Sequence, residues 1–451
     1  MKNNKKQLKS ISIVICILAL PFVISPLAYA AVSISLDNTQ MSNSFGTAAN
    51  PDIIWTGLSY GLTWQDGRRQ GEPEIYFTKL NGLGVRVSKE LKISNSSDKI
   101  SDEPAITWAG NAYGVVWYEY YGDESENNDG CNVYFARLNK EGEKRGGIIS
   151  VTPDNDGACS GHPAISWANS TYGITWHRGY SNNETSQIFF RRLDPFGQGK
   201  GEEIQVSETL NSENPSIAWT GLEYGIAWQA NDGIYFTRLD ADGIKQGDAL
   251  KISNISASST NPAITWQGSD YGVVWQGYDN QGRQQIYFTK LNERGYKQIE
   301  DVTITSNRGE DYSVSPSIIW GNSEYGITWQ QGDDLVYFIA LGAEGNKKSK
   351  ILQISNTDDD QSKQPSIASG TSQYVFVWHE IPRDGGKEIY LAKLAFSDVD
   401  KNNLQFFLAF IENLNGNSWL FIILALAVVV LIMGVIYLIK RKWKSSQADS
   451  F

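Results

Sequence analysis

The sequence predicts an all-β protein, a seven-bladed β-propeller of four-stranded antiparallel blades, followed by one C-terminal transmembrane helix. Three observations support this prediction. A tryptophan-rich motif occurs seven times, its copies begin 47 to 59 residues apart, and a long apolar segment follows the last copy. Repeats of about 50 residues with four short strands each are typical of propeller blades. A single unit of this size is too small to bury a stable core alone.

The repeated motif reads Pro-x-Ile-x-Trp, a short turn, and then Tyr-Gly with a second Trp three residues after the Gly; the last copy has Ser369 in place of the first Trp. Each copy continues with a segment such as Ile75 to Leu80, a Gly-containing turn, and a short β-branched segment such as Leu250 to Ser253. All four segments are too short for helices and are rich in strand-forming residues, so each unit is predicted to contain strands a to d. The copies begin at Pro51, Pro104, Pro163, Pro215, Pro262, Pro316 and Pro365.

Closure of the ring is predicted to involve the N-terminal strand. The seventh unit has segments for strands a, b and c but none for strand d. Residues 32–36 alternate in the same way as the d segments of other units, for example Lys92-Ile93-Ser94. We therefore expect this N-terminal segment to supply the outer strand of blade seven.

The two ends of the chain carry targeting signals. Residues 1–30 read as a signal peptide, with a basic start, an apolar run and the small-residue site Ala28-Tyr29-Ala30; a retained anchor is the alternative. Residues 419–439 form an uncharged stretch of 21 residues, long enough to span a bilayer; a buried core helix is the alternative. The basic residues in 440–451 predict a cytoplasmic tail, which leaves the propeller, residues 31–398, outside the cell. Residues 399–418 are predicted to form a juxtamembrane amphipathic linker or helix.

The charge balance argues against a nucleic acid partner. The chain has a formal net charge of −11. Without the signal peptide and the basic tail, the remainder carries about −18. Such a domain repels phosphate backbones, so we expect no nucleic acid among its partners.

The repeat resembles the Trp-rich propeller repeats of exported prokaryotic surface proteins, similar in style to TolB-type and sialidase-like propellers, over about residues 51–396. The segments at 60–64 and 172–176 also resemble the Gly-x-Thr-Trp end of the sialidase Asp-box. Ser59 and Thr171 stand at the Asp position of that box. The resemblance therefore implies a propeller at the cell surface, and sialidase chemistry does not carry over.

Two rings of polar residues are predicted on the face formed by the b–c loops and d–a links. This is the expected binding face, because the b–c loops vary between blades and variable loops on a rigid scaffold usually carry binding. The functional interpretation is a hydrogen-bonding platform for a glycan, peptide or protein; the alternative is the capping of strand ends. The first ring precedes the motif prolines and includes Asn50, Glu103, His162, Asn214, Asn261, Ser315 and Gln364. The second ring follows the strand b tryptophans and includes Gln65, Tyr118, His177, Gln229, Gln276, Gln330 and His379.

Blade two differs from the others in its cysteines and acidic residues. Cys131 lies in its b–c loop and Cys159 in the link to blade three, on the same face, which makes a disulfide feasible. Asp129, Asp154 and Asp156 are candidate Ca²⁺ ligands, because Ca²⁺ prefers carboxylate oxygens; a solvated acidic loop is the alternative. No other cofactor is expected.

Three functions remain open from the sequence. The first is a surface protein that binds an extracellular ligand or partner through the variable face. The second is a surface glycoside hydrolase or lyase that uses carboxylates at the channel mouth, with Glu103, Glu119 and Glu380 as candidates. The third is a structural component of the envelope. None of the short motifs of common catalytic sites occurs in the chain.

Overall fold

The computed structural model describes residues 33–395, apart from residues 44–46, 69–70, 97, 121–129, 154–157, 181–182, 255–257, 308–310, 333, 357–360, 372 and 383–385. Twenty-eight strands form seven four-stranded sheets in the described part of the chain. Each sheet is antiparallel, and its innermost strand contacts the innermost strands of both neighbouring sheets. The predicted seven-bladed propeller is therefore confirmed.

The first three blades follow the predicted order of strands. Blade one comprises β2 (Ala49–Trp55), β3 (Ser59–Asp66), β4 (Glu74–Asn81) and β5 (Leu91–Lys92). Blade two comprises β6 (Ile100–Trp108), β7 (Ala112–Tyr120), β8 (Asn132–Asn139) and β9 (Ile149–Ser150). Blade three comprises β10 (Cys159–Ala168), β11 (Thr171–Tyr180), β12 (Asn183–Leu193) and β13 (Ile204–Gln205).

The next three blades repeat this order. Blade four comprises β14 (Glu213–Trp219), β15 (Glu223–Ala230), β16 (Gly233–Asp240) and β17 (Leu250–Lys251). Blade five comprises β18 (Ser259–Trp266), β19 (Asp270–Tyr278), β20 (Gln284–Asn292) and β21 (Val302–Thr303). Blade six comprises β22 (Ser313–Gly321), β23 (Glu324–Gln331), β24 (Leu335–Gly342) and β25 (Leu352–Gln353).

Blade seven is assembled from both ends of the propeller. Strands β26 (Gln361–Ser369), β27 (Gln373–Ile381) and β28 (Glu388–Ala395) come from the C-terminal side. The fourth strand is β1 (Ser33–Gln40), which pairs antiparallel with β28, beginning with Ser33 opposite Ala395. The predicted closure by the N-terminal strand is confirmed.

The motif tryptophans and tyrosines form the core between blades. All seven strand b tryptophans are fully buried. In blades one to six, the strand c phenylalanine packs against the strand b tyrosine of the next blade, with ring centroids 5.0 Å apart for Phe77 and Tyr113. The glycine after the strand b tyrosine of these six blades makes room for that ring, since a Cβ at Gly61 would lie 2.5 Å from Tyr113 Cε1. Blade seven has Val375 at the glycine position. The Tyr-Gly pair is therefore a packing motif and not a ligand-binding one.

The terminal segments of the chain lie outside the described residues. This holds for the predicted signal peptide, linker, transmembrane helix and cytoplasmic tail, which stay predictions. Within the part of the chain that the structure describes, no helix is long and apolar enough to cross a membrane.

Candidate functional site

The first polar ring surrounds the mouth of the central channel. Its seven residues line one cavity of about 400 Å³, together with the motif prolines and four of the residues that follow them. The cavity lies at the start of the innermost strands, which is the face of the b–c loops and d–a links. The structure thus brings together Glu103, His162, Asn214, Asn261 and Gln364, five of the residues that the sequence predicted for binding, along with Asn50 and Ser315.

Each ring residue has an unusual backbone conformation. All seven have positive φ values, from 46° at Glu103 to 52° at Asn261. In every blade the pairing of strands a and b shifts register at this point, as between Asp102 and Ala105. A left-handed conformation costs a non-glycine residue about 1–2 kcal/mol. The bulge places one polar residue per blade beside the cavity, and the surrounding sheet holds it there.

Side chains connect neighbouring blades around the mouth. Asn50 Nδ2 donates to Asp102 Oδ1 at 2.6 Å, which joins blades one and two. Asn214 Nδ2 donates to Asn261 Oδ1 at 2.7 Å, which joins blades four and five. Glu103 forms an ion pair with His162 between blades two and three. The ring is therefore partly a network of contacts between blades.

The second ring lies behind the first and does not line the cavity. Gln229 Oε1 accepts a hydrogen bond from the backbone N–H of Asn261 at 2.9 Å. Gln276 Oε1 accepts one from the N–H of Ser315 at 2.7 Å. These two glutamines cap the ring residue of the following blade, as the strand-capping alternative predicted for them. Whether Tyr118, His177, Gln229, Gln276, Gln330 or His379 contacts a ligand stays a prediction.

Two histidines of the second ring are held neutral. Burial lowers the pKa of His177 to about 3, and the nearby His162 adds to this effect. Burial also lowers the pKa of His379 to about 3, with contributions from Lys387 and Lys363. Among the described atoms, neither Nδ1 has a hydrogen-bond partner.

Blades two and three carry a cluster that the other blades lack, here called the blade 2–3 cluster: Asp102, Glu103, Tyr118, Tyr120, His162 and His177. Tyr118 is stacked with Tyr120, with ring centroids 5.4 Å apart, and with His162 at 6.0 Å. The ring of His162 lies 4.9 Å from that of His177. At this sector of the mouth, Glu103 and His162 line the cavity, and the aromatic rings lie behind them.

The charges of the blade 2–3 cluster perturb each other. Burial raises the pKa of Asp102 to about 6, and the negative charge of Glu103 adds to this shift. Burial lowers the pKa of His162, but the hydrogen bond and the negative charge of Glu103 outweigh it, so this pKa lies above its ordinary value. Burial, followed by the charges of Asp102 and Glu103, raises the pKa of Tyr118. The raised pKa of His162 favours its protonated, positively charged form beside Glu103.

Sequence reasoning missed the acidic residues beside the first ring. Asp52 lines the cavity, and its carboxylate accepts hydrogen bonds from the N–H of Ile106 at 2.9 Å and from Ser366 Oγ at 2.8 Å. It therefore connects blade one to blades two and seven. The available signal was its departure from the repeat, because the other six motif prolines are followed by alanine or serine.

The two other carboxylates proposed for hydrolysis have a packing role. Glu119 Oε1 accepts a hydrogen bond from Trp117 Nε1 at 2.9 Å, and Glu380 Oε2 accepts one from Trp378 Nε1 at 3.1 Å. Both glutamates are buried and do not line the cavity. Of these three candidates, only Glu103 lies at the mouth.

The predicted disulfide is present, and the residues of the predicted calcium site lie outside the described part of the chain. Cys131 and Cys159 are bonded, which joins the b–c loop of blade two to the first strand of blade three. Asp129, Asp154 and Asp156 lie outside the described residues, so the Ca²⁺ site stays a prediction. Within the described ranges, no group of three or more His, Cys, Asp or Glu is arranged to hold a metal ion.

Comparison with known proteins gives the fold and no family. No protein-family model matches the chain, and no curated protein sequence is significantly similar to it. A protein of unknown function from Dyadobacter fermentans has a similar structure, with a TM-score of 0.50 and 10% identity over 81% of this chain and 99% of that one. The Dos1 propeller gives a TM-score of 0.47 and 8% identity over 80% of this chain and 95% of the other.

A sialidase is also among the similar structures. The sialidase of Trypanosoma rangeli, bound to difluorosialic acid, gives a TM-score of 0.45 and 9% identity. The match covers 80% of this chain and 59% of the sialidase. At 10% identity, the match to the Dyadobacter fermentans protein indicates a shared fold alone.

Proposed function

We propose that this protein is a membrane-anchored propeller of the cell surface that binds an extracellular ligand through its b–c and d–a face. The observation that carries the proposal is the ring of seven polar residues around one cavity. Their shared left-handed backbone conformation brings polar residues of five types to a single opening. Concave sites with a few convergent polar groups are the usual binding sites of proteins.

The blade 2–3 cluster is the proposed centre of binding. Its partly exposed Tyr118 and Tyr120 rings offer apolar surface behind the cavity rim, and Glu103 with His162 offers both a hydrogen-bond acceptor and a donor at the cavity. The remaining ring positions are neutral amides and a serine. This combination fits a polar ligand such as a glycan or a peptide better than a purely apolar one.

A glycoside hydrolase is the second candidate, and the geometry favours it less. Such enzymes require two carboxyl groups that face the substrate. The carboxylates that line the cavity in the described part of the chain are Asp52 and Glu103. Asp52 already accepts hydrogen bonds from two backbone N–H groups and from Ser366, which gives it a role in joining blades. Asp102, whose pKa is raised, does not line the cavity.

The proposal is tested by probing glycan and peptide arrays with the full chain, purified in detergent. We expect a restricted set of array spots to bind the wild-type chain. The double variant Glu103→Ala, His162→Ala is expected to lose most of that signal, while Leu222→Ser, on the opposite face, keeps it. Equal signals from the two variants would refute binding at the mouth. Release of a fluorophore from aryl glycosides of sialic acid or arabinose, absent in Glu103→Gln, would instead support the hydrolase.

A further inference from the structure

The face opposite the cavity exposes apolar side chains at its turns. Of twelve large hydrophobic residues exposed among the described ones, ten lie in the a–b turns or the c–d connections. Leu58 is 85% exposed, Leu222 is 79% exposed and Phe196 is 72% exposed. The two exceptions are Leu210 and Tyr278, which lie on the cavity side. Ile148 and Ile351 directly precede strand d at the outer edge of their blades, and the other eight lie nearer the turns. Most of the apolar exposure is therefore on the turn side.

These apolar side chains lie on several blades around the ring. Leu58 and Leu83 belong to the two turns of blade one, and Phe196 belongs to blade three. Leu222 and Ile244 belong to the two turns of blade four, which is across the ring from blade one. A broad planar surface would touch both groups at once, whereas a small groove-binding ligand would not.

The same turns carry no net charge. The a–b turns, residues 56–58, 109–111, 169–170, 220–222, 267–269, 322–323 and 370–372, contain no charged residue. In the six c–d connections the positive and negative residues cancel. The net charge of about −18 outside the signal and tail is therefore located elsewhere. An anionic lipid surface repels the rest of the propeller more strongly than it repels this face.

The last described strand of the propeller also ends at this face. Strand β28 runs from the b–c side toward the turns and ends at Ala395, opposite Ser33. Two residues before this end, Lys393 Nζ donates to the carbonyl oxygen of Leu83 at 3.1 Å. The predicted membrane span begins at residue 419, 24 positions after Ala395. A tether of this length keeps the propeller within reach of a bilayer surface.

We propose that the turn face, defined by the a–b turns and c–d connections, docks on the lipid bilayer. The exposed leucines, phenylalanine and isoleucine insert at the level of the headgroups, and the cavity then points away from the membrane toward soluble or cell-surface ligands. Insertion of several such side chains adds affinity in proportion to the apolar area that they bury. This proposal rests on the membrane anchoring included in the proposed function.

The test measures lipid contact of single labelled positions in the full chain. The chain carries Cys16→Ser, so that the only reactive thiol is an introduced one, and is reconstituted in vesicles of 70% phosphatidylcholine and 30% phosphatidylglycerol. A fluorophore is attached at Leu222→Cys, on the turn face, or at Gln281→Cys, in the b–c loop of blade five. We expect brominated acyl chains to quench the label at 222 at least threefold more than the label at 281. Equal quenching at both positions would overturn the proposal.

A second labelled chain tests whether the apolar side chains cause the contact. A label at Ile244→Cys is expected to lose most of its quenching when Leu58→Ser, Phe196→Ser and Leu222→Ser are combined. These side chains are exposed, so their replacement leaves the core intact. Quenching that survives the triple substitution would contradict the proposed role of these residues.

Two further readouts separate this proposal from its alternatives. Iodide quenching measures whether the label at position 222 is accessible to water. If the label is shielded from iodide but not quenched by lipid, and if this shielding grows with the protein-to-lipid ratio, a second copy covers the face and lipid docking is overturned. Flotation of the vesicles in alkaline carbonate tests anchoring alone. Anchored protein without quenching refutes docking and leaves the proposed function intact, whereas protein that does not float refutes the anchor.

Discussion

The carboxylate of Glu103 in blade two is paired with the imidazole of His162 in blade three, at the mouth of the central cavity. The pair joins two blades and also presents charge to the opening. Both residues precede a motif proline and share the left-handed backbone conformation of the ring. A residue pair of this kind can serve the scaffold and the site together.

The pair predicts how the three histidines of the chain titrate. His162 is expected to titrate above its ordinary value of 6.5, because Glu103 outweighs the effect of burial. His177 and His379 are expected to titrate at about pH 3. Side-chain NMR of selectively labelled histidine measures all three. In Glu103→Gln the pKa of His162 should fall, because only the weaker effects of Asp102 and Glu213 then oppose burial; an unchanged pKa would contradict the pairing.

The buried His379 predicts a loss of stability in acid. Its folded pKa of about 3 lies below its unfolded value, so the unfolded chain takes up a proton from pH 6.5 downward while the folded chain does not. The free energy of unfolding should therefore fall by about 2 kcal/mol between pH 7 and pH 4.5 through this group. His379→Gln, which installs the residue found at this position in four other blades, should remove that part of the dependence. Urea denaturation at both pH values measures the free energy of unfolding of the two chains. An equal fall in both chains between pH 7 and pH 4.5 would refute the role of His379.

The Tyr-Gly motif predicts a strict requirement for glycine. A Cβ at Gly225 would lie 2.3 Å from Tyr271 Cε1 of the next blade. Gly225→Ala should therefore lower the free energy of unfolding by about 1–3 kcal/mol through overpacking. Gly147→Ala is the matched control, because no atom lies within 4 Å of its added Cβ. Thermal denaturation of the two variants is the measurement, and equal midpoints would show that the blades adapt without cost.

The pairing of the N-terminal strand with β28 predicts that the thermal stability of the whole propeller depends on this strand. Deletion of residues 33–40 removes the outer strand of blade seven and leaves the edge of β28 unpaired. The midpoint of thermal unfolding should fall by many degrees, since a closed propeller is held by contacts around the whole ring. Deletion of residues 447–451, outside the propeller, is the control for the loss of chain length. An unchanged midpoint would mean that this strand is dispensable.

The sequence predicted the blades well because their signal is local and repeated. Trp, Tyr and Pro recur at fixed offsets in each copy, and strand alternation follows directly from those offsets. The first ring was also predictable, because a residue fixed relative to the motif proline takes the same place in every blade. The pairing of β1 with β28 followed from a missing strand in the last repeat and a similar segment near the N-terminus.

The roles of individual ring residues were less predictable. Gln229 and Gln276 form hydrogen bonds with the backbone of the following blade, and such contacts join residues about 30 to 40 positions apart. The sequence pattern does not distinguish a side chain that caps a strand from one that faces a ligand. Asp52 lines the cavity and joins three blades, yet its motif position is otherwise small and neutral. Positions where one blade departs from the repeat, such as Asp52, were therefore a better guide to the cavity than positions that are alike in every blade.

The central claim is that the cavity mouth at blades two and three binds the ligand of this protein. The most direct test is the affinity of the full chain for the array glycan or peptide that gives the strongest signal, compared with that of Glu103→Ala, His162→Ala. Asn231→Ala, a single change in the b–c turn of blade four, provides the control for the same face. The account predicts at least a tenfold weaker Kd for the double variant and an unchanged Kd for the control. An unchanged Kd in the double variant would contradict it.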